Sequence, residues 1–190
     1  TRLATSHGNA AEAVGRFAAL LRAIAAAPQP VIALVDGPAI GGGVGLAAAS
    51  DLVIATSRAT FGLPETLFGV VPAIILPVLA RRVGLARARW LAMGAATLSA
   101  AEAQRIGLVD ELTGDLEAAL APITRRFERL DREAVAAVKS LASMLSSQSA
   151  AHYDSQSVQR FLHHLKRPDA TDRIDRFLAG ETPWPEIGET

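Results

Sequence analysis

Hydrophobic and polar positions alternate between helical and strand-like patterns in the first part of the chain. Between Ala10 and Ala27 apolar side chains recur at helical spacing, which predicts an amphipathic helix. The apolar runs Val31–Val35 and Ser50–Ala55 are typical of buried strands. The small residues of Gly45–Ala49 favour a helix between them, because alanine has the highest helix propensity. This order predicts an α/β fold in which a crossover joins two parallel strands.

Beyond the second strand the pattern is mainly helical. Ser99 and Glu102 have the spacing of a capping box, in which each side chain bonds the other residue's backbone N–H at a helix start. The predicted helices are Ala73–Arg82, Ala86–Met93, Ser99–Gly107, Asp115–Leu130, Asp131–Ser147, Ala151–Leu165 and Thr171–Leu178, with one extended segment at Leu108–Leu112. Pro77 is expected to disturb the first turns of its helix.

Composition excludes several classes of protein. The chain has 190 residues, of which 50% are hydrophobic, so it can bury the core of one domain. Its 19 basic and 19 acidic residues balance, which argues against a nucleic-acid partner. It has no cysteine, and His163 and His164 are adjacent and would lie on different faces of a helix, so no metal site is expected. Without a membrane-spanning run or a signal-peptide pattern, a cytoplasmic location is expected.

A glycine-rich turn carries the clearest chemical signal. Gly41, Gly42 and Gly43 follow the first apolar run and precede the small-residue helix. Backbone N–H groups at a helix start lack intrahelical acceptors and favour negative charge. No Lys-Ser/Thr pair follows, as a phosphate-binding loop would require, so an enolate or oxyanion fits better. A plain turn is the alternative interpretation of the glycines alone.

Further motifs resemble those of the crotonase (enoyl-CoA hydratase/isomerase) superfamily, in order over residues 26–112. They are Pro30–Ala33, Asp36–Gly43, Ser50–Ala55, Phe61–Glu65, Gly69–Pro72, Leu98–Ala103 and Gly107–Asp110. The resemblance implies a ClpP/crotonase-like ββα superhelix core over residues 1–112 and a C-terminal helical oligomerisation region over residues 113–190. Superfamily members place several strands, and the loop with a second oxyanion donor, before the first helix. That part is expected to be missing from this sequence.

The resemblance also implies the site. Superfamily enzymes hold the carbonyl of an acyl thioester with two backbone N–H groups and so stabilise an enolate. By position in the motif, the Gly42 N–H is one of these donors, and Gly41 and Gly43 shape its loop. Glu65, in the Pro-Glu motif, is the implied acid/base, and helix capping is its alternative role. The implied substrate-pocket residues are Gly45, Leu63, Pro64, Leu67 and Ala73.

One departure narrows the implied chemistry. Hydratases of the superfamily use two glutamates, whereas here Gly45 stands at the first position and Glu65 at the second. A single carboxylate can still move a proton between carbon atoms, or from carbon to a leaving hydroxyl. The sequence after Pro72, with Pro77 and Arg81–Gly84, is similar to that of the dehydratases of polyketide β-branching cassettes.

That subgroup implies removal of water from a 3-hydroxy-3-methylglutaryl thioester on an acyl carrier protein. The alternatives are an enoyl-CoA isomerase or hydratase-like enzyme, and a non-catalytic scaffold of the same fold. No cofactor is implied, because the substrate itself carries a phosphopantetheine or CoA thioester. A homotrimer or a dimer of trimers is implied, unless the last helices fold back on their own core. Arg81 and Arg82 are candidates to bind the substrate carboxylate, although they could simply complement the helix dipole.

Overall fold

The computed structural model describes residues 7–68, 71–145, 176 and 179–181. The chain divides into two compact units, Thr1–Leu120 and Ala121–Thr190. The sequence places the boundary after residue 112, whereas the division between the units falls inside a helix that begins at Leu116.

The elements alternate along the first unit and are helical afterwards. The helices are α1 (His7–Ala26), α2 (Gly42–Ala49), α3 (Ile75–Val83), α4 (Leu85–Gly94), α5 (Ala100–Arg105), α6 (Leu116–Glu128) and α7 (Arg132–Leu145), with a 3₁₀ turn at Glu65–Phe68. The strands are β1 (Ile32–Val35), β2 (Pro38–Ile40), β3 (Leu52–Ala55), β4 (Thr60–Gly62), β5 (Thr97–Ser99) and β6 (Glu111–Leu112).

The first sheet has the predicted parallel arrangement. Its order is β1-β3-β6, and β1 pairs with β3 in register from Ile32 opposite Leu52 to Val35 opposite Ala55. Helix α2 is the crossover between them, as the small-residue run predicts. Strand β6 covers only the last two residues of the predicted extended segment.

A second sheet, which the sequence pattern did not predict, positions the glycine turn. Its order is β2-β4-β5, with β2 and β4 parallel and β4 and β5 antiparallel. Each strand has three residues, too few to show a period along the chain. Ile40 pairs with Gly62, so the segments that follow β2 and β4 leave the sheet at the same end.

The core of the first unit lies between the sheets and the helices. Helix α2 consists largely of buried small residues, which allows α1 and α3 to pack closely against it. The largest fully buried side chains are those of Leu21, Val44, Val53, Ile54, Phe61, Leu63, Leu79, Leu108 and Val109. Burying such side chains contributes about 1.5–3 kcal/mol each.

Helix α3 begins two residues later than predicted, at Ile75 instead of Ala73. Pro77 therefore lies in its first turn, where its missing N–H would have no intrahelical acceptor. The disturbance expected from Pro77 is thus observed as a later start of the helix. The N–H groups of Ile75 and Leu76 donate to the Pro72 carbonyl at 3.1 and 2.8 Å.

The capping box at the start of α5 is confirmed. The Ser99 hydroxyl accepts from the Glu102 N–H, and the Ser99 N–H donates to Glu102 Oε2 at 2.8 Å. This backbone hydrogen bond, followed by that of the Ser99 hydroxyl, lowers the pKa of Glu102 below its ordinary value. The same residue pair was recognisable in the sequence because a capping box is a local motif.

Arg82 joins three segments of the first unit. Its Nε donates to the Leu108 carbonyl at 3.0 Å, its Nη1 donates to the Ser50 carbonyl at 2.9 Å, and its Nη2 pairs with Asp110. Asp110 Oδ2 also accepts the Val53 N–H at 2.7 Å. The side chain of Arg82 is only 12% exposed, so its bonds to the two carbonyls are partly shielded from water, whereas the Asp110 side chain is 38% exposed.

Helices α6 and α7 fall within the predicted Asp115–Leu130 and Asp131–Ser147 segments. The predicted helix Ala151–Leu165 and nearly all of Thr171–Leu178 lie outside the described residues. Across the part of the chain that is described, none of the helices combines the length and apolarity needed to cross a membrane.

We expect Arg82→Leu to lower the free energy of unfolding by about 3 kcal/mol, because it leaves Asp110 and two carbonyls without their donor. Arg81→Leu is the matched control, since Arg81 is exposed on the same helix, and it should change stability by less than about 0.5 kcal/mol. Urea unfolding followed by circular dichroism measures both. Equal losses in the two variants would contradict the role assigned to Arg82.

Candidate active site

The glycine turn lies where β2 ends and α2 begins. Gly41 has φ +55°, a left-handed conformation that strongly favours glycine. Its N–H donates to the Gly62 carbonyl at 2.8 Å, which extends the β2–β4 pairing by one bond into the turn. The turn is therefore held by the sheet as well as by the helix that follows it.

Glu65 lies in the turn that follows β4. Leu63 is buried at 2% exposure, and Pro64 leads directly into the 3₁₀ turn that Glu65 begins. The Thr66 hydroxyl donates to the Ala92 carbonyl of α4 at 3.1 Å, so the turn is tied to the helix beside it. These contacts fix the backbone that carries the carboxylate.

The structure brings Glu65 and the glycine turn together. A Cβ placed on Gly41 would lie 3.0 Å from Glu65 Oε1, which is too close for an unstrained contact. Glu65 Oε2 is buried and, within the described residues, has no hydrogen-bond partner. A buried acceptor without a donor costs free energy and is uncommon outside functional sites. The Glu65 carboxyl group therefore keeps an acceptor atom without a partner close to the glycine turn.

Gly42 is the first residue of α2, where the backbone N–H has no intrahelical acceptor and the helix dipole favours negative charge. A Cβ on Gly42 would lie 3.2 Å from Phe17 Cζ, and one on Gly43 would lie 3.3 Å from Ala39 Cβ. Periodicity along the chain predicted Phe17 only as one residue on the apolar face of the helix Ala10–Ala27. That face, rather than any motif, was the available signal for its position beside the turn.

Apolar side chains surround Gly45, which stands at the position of the first hydratase glutamate. A Cβ on Gly45 would meet Ile75 Cγ1 and Leu21 Cδ1, both at 3.3 Å, and Phe17 Cζ at 3.5 Å. Gly45 is itself buried. A charged side chain here would crowd Ile75 and Leu21 and would lose its hydration among apolar groups. The packing around α2 is therefore adapted to a single carboxylate at this site.

The other predicted pocket residues differ in their surroundings. Leu63 lines a small internal cavity of about 10 Å³ together with Gly62 and Leu98. Pro64 is half-buried and Ala73 is exposed. The side chain of Leu67 lies outside the described part of the structure.

Two charged residues near the sheets have structural roles. Arg82 donates to two carbonyls and pairs with Asp110, so its guanidinium is not available to bind a substrate carboxylate. Asp36 accepts from the Thr56 hydroxyl at 2.7 Å and from Arg58, and these bonds lower its pKa below the ordinary value. Among the described residues, no cluster of three or more histidine or acidic side chains could hold a metal ion.

We expect Gly45→Val to lower the free energy of unfolding by about 1–3 kcal/mol, because the added methyl groups would overpack the contact with Ile75 and Leu21. Gly15→Val is the control: Gly15 is also inside a helix, but a Cβ there meets nothing within 4 Å. Its effect should stay below about 0.5 kcal/mol. Urea denaturation distinguishes the two, and an unchanged stability of Gly45→Val would contradict the packing described here.

Comparison with known proteins places this geometry in a family. The model of the enoyl-CoA hydratase/isomerase family matches residues 2–178. Bacillaene synthase dehydratase PksH of Bacillus subtilis (strain 168) is 35% identical over 121 residues, which are 64% of this chain and 47% of that protein. Enoyl-CoA hydratase domain-containing protein 2, mitochondrial, of Bos taurus is 44% identical over 105 residues, 55% of this chain and 36% of that protein. The chain thus spans about half the length, or less, of these curated relatives.

Solved structures give the same result for the fold. AtuE of Pseudomonas aeruginosa superimposes with a TM-score of 0.85 at 36% identity, over 92% of this chain and 69% of that one. An enoyl-CoA hydratase of Mycobacterium smegmatis gives a TM-score of 0.89 at 25% identity, over 96% and 72%. The expected crotonase architecture is confirmed, and the chain belongs to the enoyl-CoA hydratase/isomerase family.

Proposed function

We propose that this site removes water from a 3-hydroxyacyl thioester, with a 3-hydroxy-3-methylglutaryl group on an acyl carrier protein as the substrate. The observation that carries the proposal is the buried Glu65 oxygen without a hydrogen-bond partner, beside the glycine turn. The similarity to a protein named as a bacillaene synthase dehydratase supports dehydration in particular.

The first step is proton abstraction. The Glu65 carboxylate takes the α-proton of the thioester, and the electron pair of the C–H bond moves onto the carbonyl oxygen. The Gly42 N–H, at the start of α2, donates to the resulting enolate oxygen. One such oxyanion donor stabilises the transition state by about 3–4 kcal/mol. The dipole of α2 acts in the same direction.

The second step is loss of the β-hydroxyl. The enolate reforms the carbonyl, its electron pair forms the carbon–carbon double bond, and the bond from the β-carbon to oxygen breaks. The protonated Glu65 donates its proton to the departing oxygen, so water leaves and the carboxylate is restored. The product is a 3-methylglutaconyl thioester, and no second acid is needed.

The surroundings of Gly45 favour this scheme over water addition by two carboxylates. Leu21 and Ile75 occupy the volume that a side chain at position 45 would enter. Glu65 is the carboxylate that lies beside the turn, and in this scheme it performs both proton transfers. A single group acting first as base and then as acid is a general mode of acid–base catalysis.

The second candidate is isomerisation of an enoyl-CoA, which also needs one carboxylate and one oxyanion donor. The Glu65 geometry favours it equally, because returning the proton to a different carbon requires no further residue. Assays of carrier-bound 3-hydroxy-3-methylglutaryl thioester beside free enoyl-CoA thioesters separate the two. A scaffold of the same fold without activity would process neither substrate.

Loss of one water from the carrier-bound substrate, observed by mass spectrometry, is the direct test. We expect Glu65→Gln to lower kcat by roughly 10²–10⁴-fold, because the amide can neither take nor return the proton. Its melting temperature should not fall, since Oε2 makes no hydrogen bond within the described residues. Near-normal turnover in Glu65→Gln would refute the mechanism.

A second variant pair tests the contact between the turn and the carboxylate. Gly41→Ala should lower kcat by about tenfold or more, because the new Cβ pushes Glu65 Oε1 from its position. Gly84→Ala is the control: its φ is also positive, at +86°, but no atom lies within 4 Å of the added Cβ. Thermal unfolding of both variants distinguishes a loss of folded protein from a loss of turnover. Equal kcat values in the two would show that the contact is irrelevant to turnover.

A further inference from the structure

A surface groove lies beside the element that carries Glu65. It is formed by α4, β5 and α5 and has a volume of about 430 Å³, within the range of functional sites. Leu98 and Ile106 contribute apolar side chains, and Trp90 stands at its edge with 68% of its surface exposed. An indole so exposed is a typical anchor for a protein partner.

The charges around the groove are mainly positive. Arg87 and Arg105 line it, and the α4 sequence, Leu85–Gly94, contains no acidic residue. The acid that lines the groove, Glu102, accepts the backbone N–H and hydroxyl of Ser99 in the capping box and also interacts electrostatically with Arg105, so the groove keeps an excess of one positive charge. Two arginines beside an apolar strip match a helix that presents carboxylates around an apolar residue.

The groove shares a wall with the catalytic turn. Leu91 and Leu98 line both the groove and the small cavity that also contacts Gly62 and Leu63. The hydrogen bond from Thr66 to the Ala92 carbonyl joins α4 to the turn of Glu65. A partner bound in the groove would therefore be held next to the site on a fixed element.

We propose that the groove between α4 and α5, centred on Trp90, Arg87 and Arg105, is the docking surface for an acidic helix of the acyl carrier protein. The inference rests on the proposed function, because a carrier-bound thioester requires such a surface. Carboxylates of the carrier pair with Arg87 and Arg105, and an apolar residue packs on Trp90.

Binding of the holo acyl carrier protein, without an acyl group, tests the surface directly by calorimetry. The double variant Arg87→Glu/Arg105→Glu should bind about tenfold more weakly or worse, because charge reversal opposes an acidic partner. Trp90→Ala should weaken binding by a similar factor. The control is Arg125→Glu/Arg126→Glu, which makes the same charge change in another arginine-lined groove and should stay within about twofold of wild type.

Wild-type affinity in the groove variants, an equal loss in the control, or no binding of the carrier by the wild-type protein would overturn the proposal. Sedimentation of the groove variants tests whether a second copy of this chain occupies the groove instead. A changed oligomeric state in these variants, with unchanged affinity for the carrier, would also overturn the proposal. The assay is independent of turnover. If the carrier binds in a groove-dependent way but loses no water, the docking surface stands and the proposed reaction fails. If the groove variants dehydrate the carrier-bound substrate as fast as the wild type does, the reaction stands and the docking surface fails.

Discussion

The parallel pairing of β2 with β4 is the constraint on which the site depends. It sets Ile40 opposite Gly62, so the glycine turn and the Pro-Glu turn leave the sheet at the same end. The bond from the Gly41 N–H to the Gly62 carbonyl extends this pairing into the turn itself. Without it, the carboxylate and the helix start would have no fixed separation, and proton transfer depends steeply on such positioning.

Small residues make this arrangement possible. Helix α2 uses glycine and alanine where larger side chains would push α1 and α3 away. The close approach has a chemical consequence, because Phe17, Leu21 and Ile75 occupy the space at Gly45. The same packing that stabilises the core leaves Glu65 as the acid/base group of the proposed mechanism. Fold stability and reaction type are thus linked through one short helix.

Charged residues outside the site mainly secure the scaffold. Arg82 and Asp110 connect α3 with the segments around β3, and Asp36 joins the end of β1 to Thr56 and Arg58. Among the described residues, Arg87 and Arg105 of the Trp90 groove form no comparable hydrogen-bond network, although Arg105 interacts electrostatically with Glu102. An arginine pair in the sequence, such as Arg81 and Arg82, does not reveal which of these roles each member has.

Features that depend on neighbouring residues in the chain could be predicted from the sequence. Helix α1, the parallel strands β1 and β3, and the Ser99–Glu102 capping box follow from periodicity, short apolar runs and a four-residue motif. The family motifs selected Glu65 and the glycine turn as candidates. The folded chain was needed to show that the Glu65 side chain lies beside the glycine turn, that Gly45 is enclosed by apolar groups, and that Arg82 links separate segments. These features could not be predicted because three-residue strands show no period, and because the contacts of Arg82 and Gly45 join segments far apart in the chain.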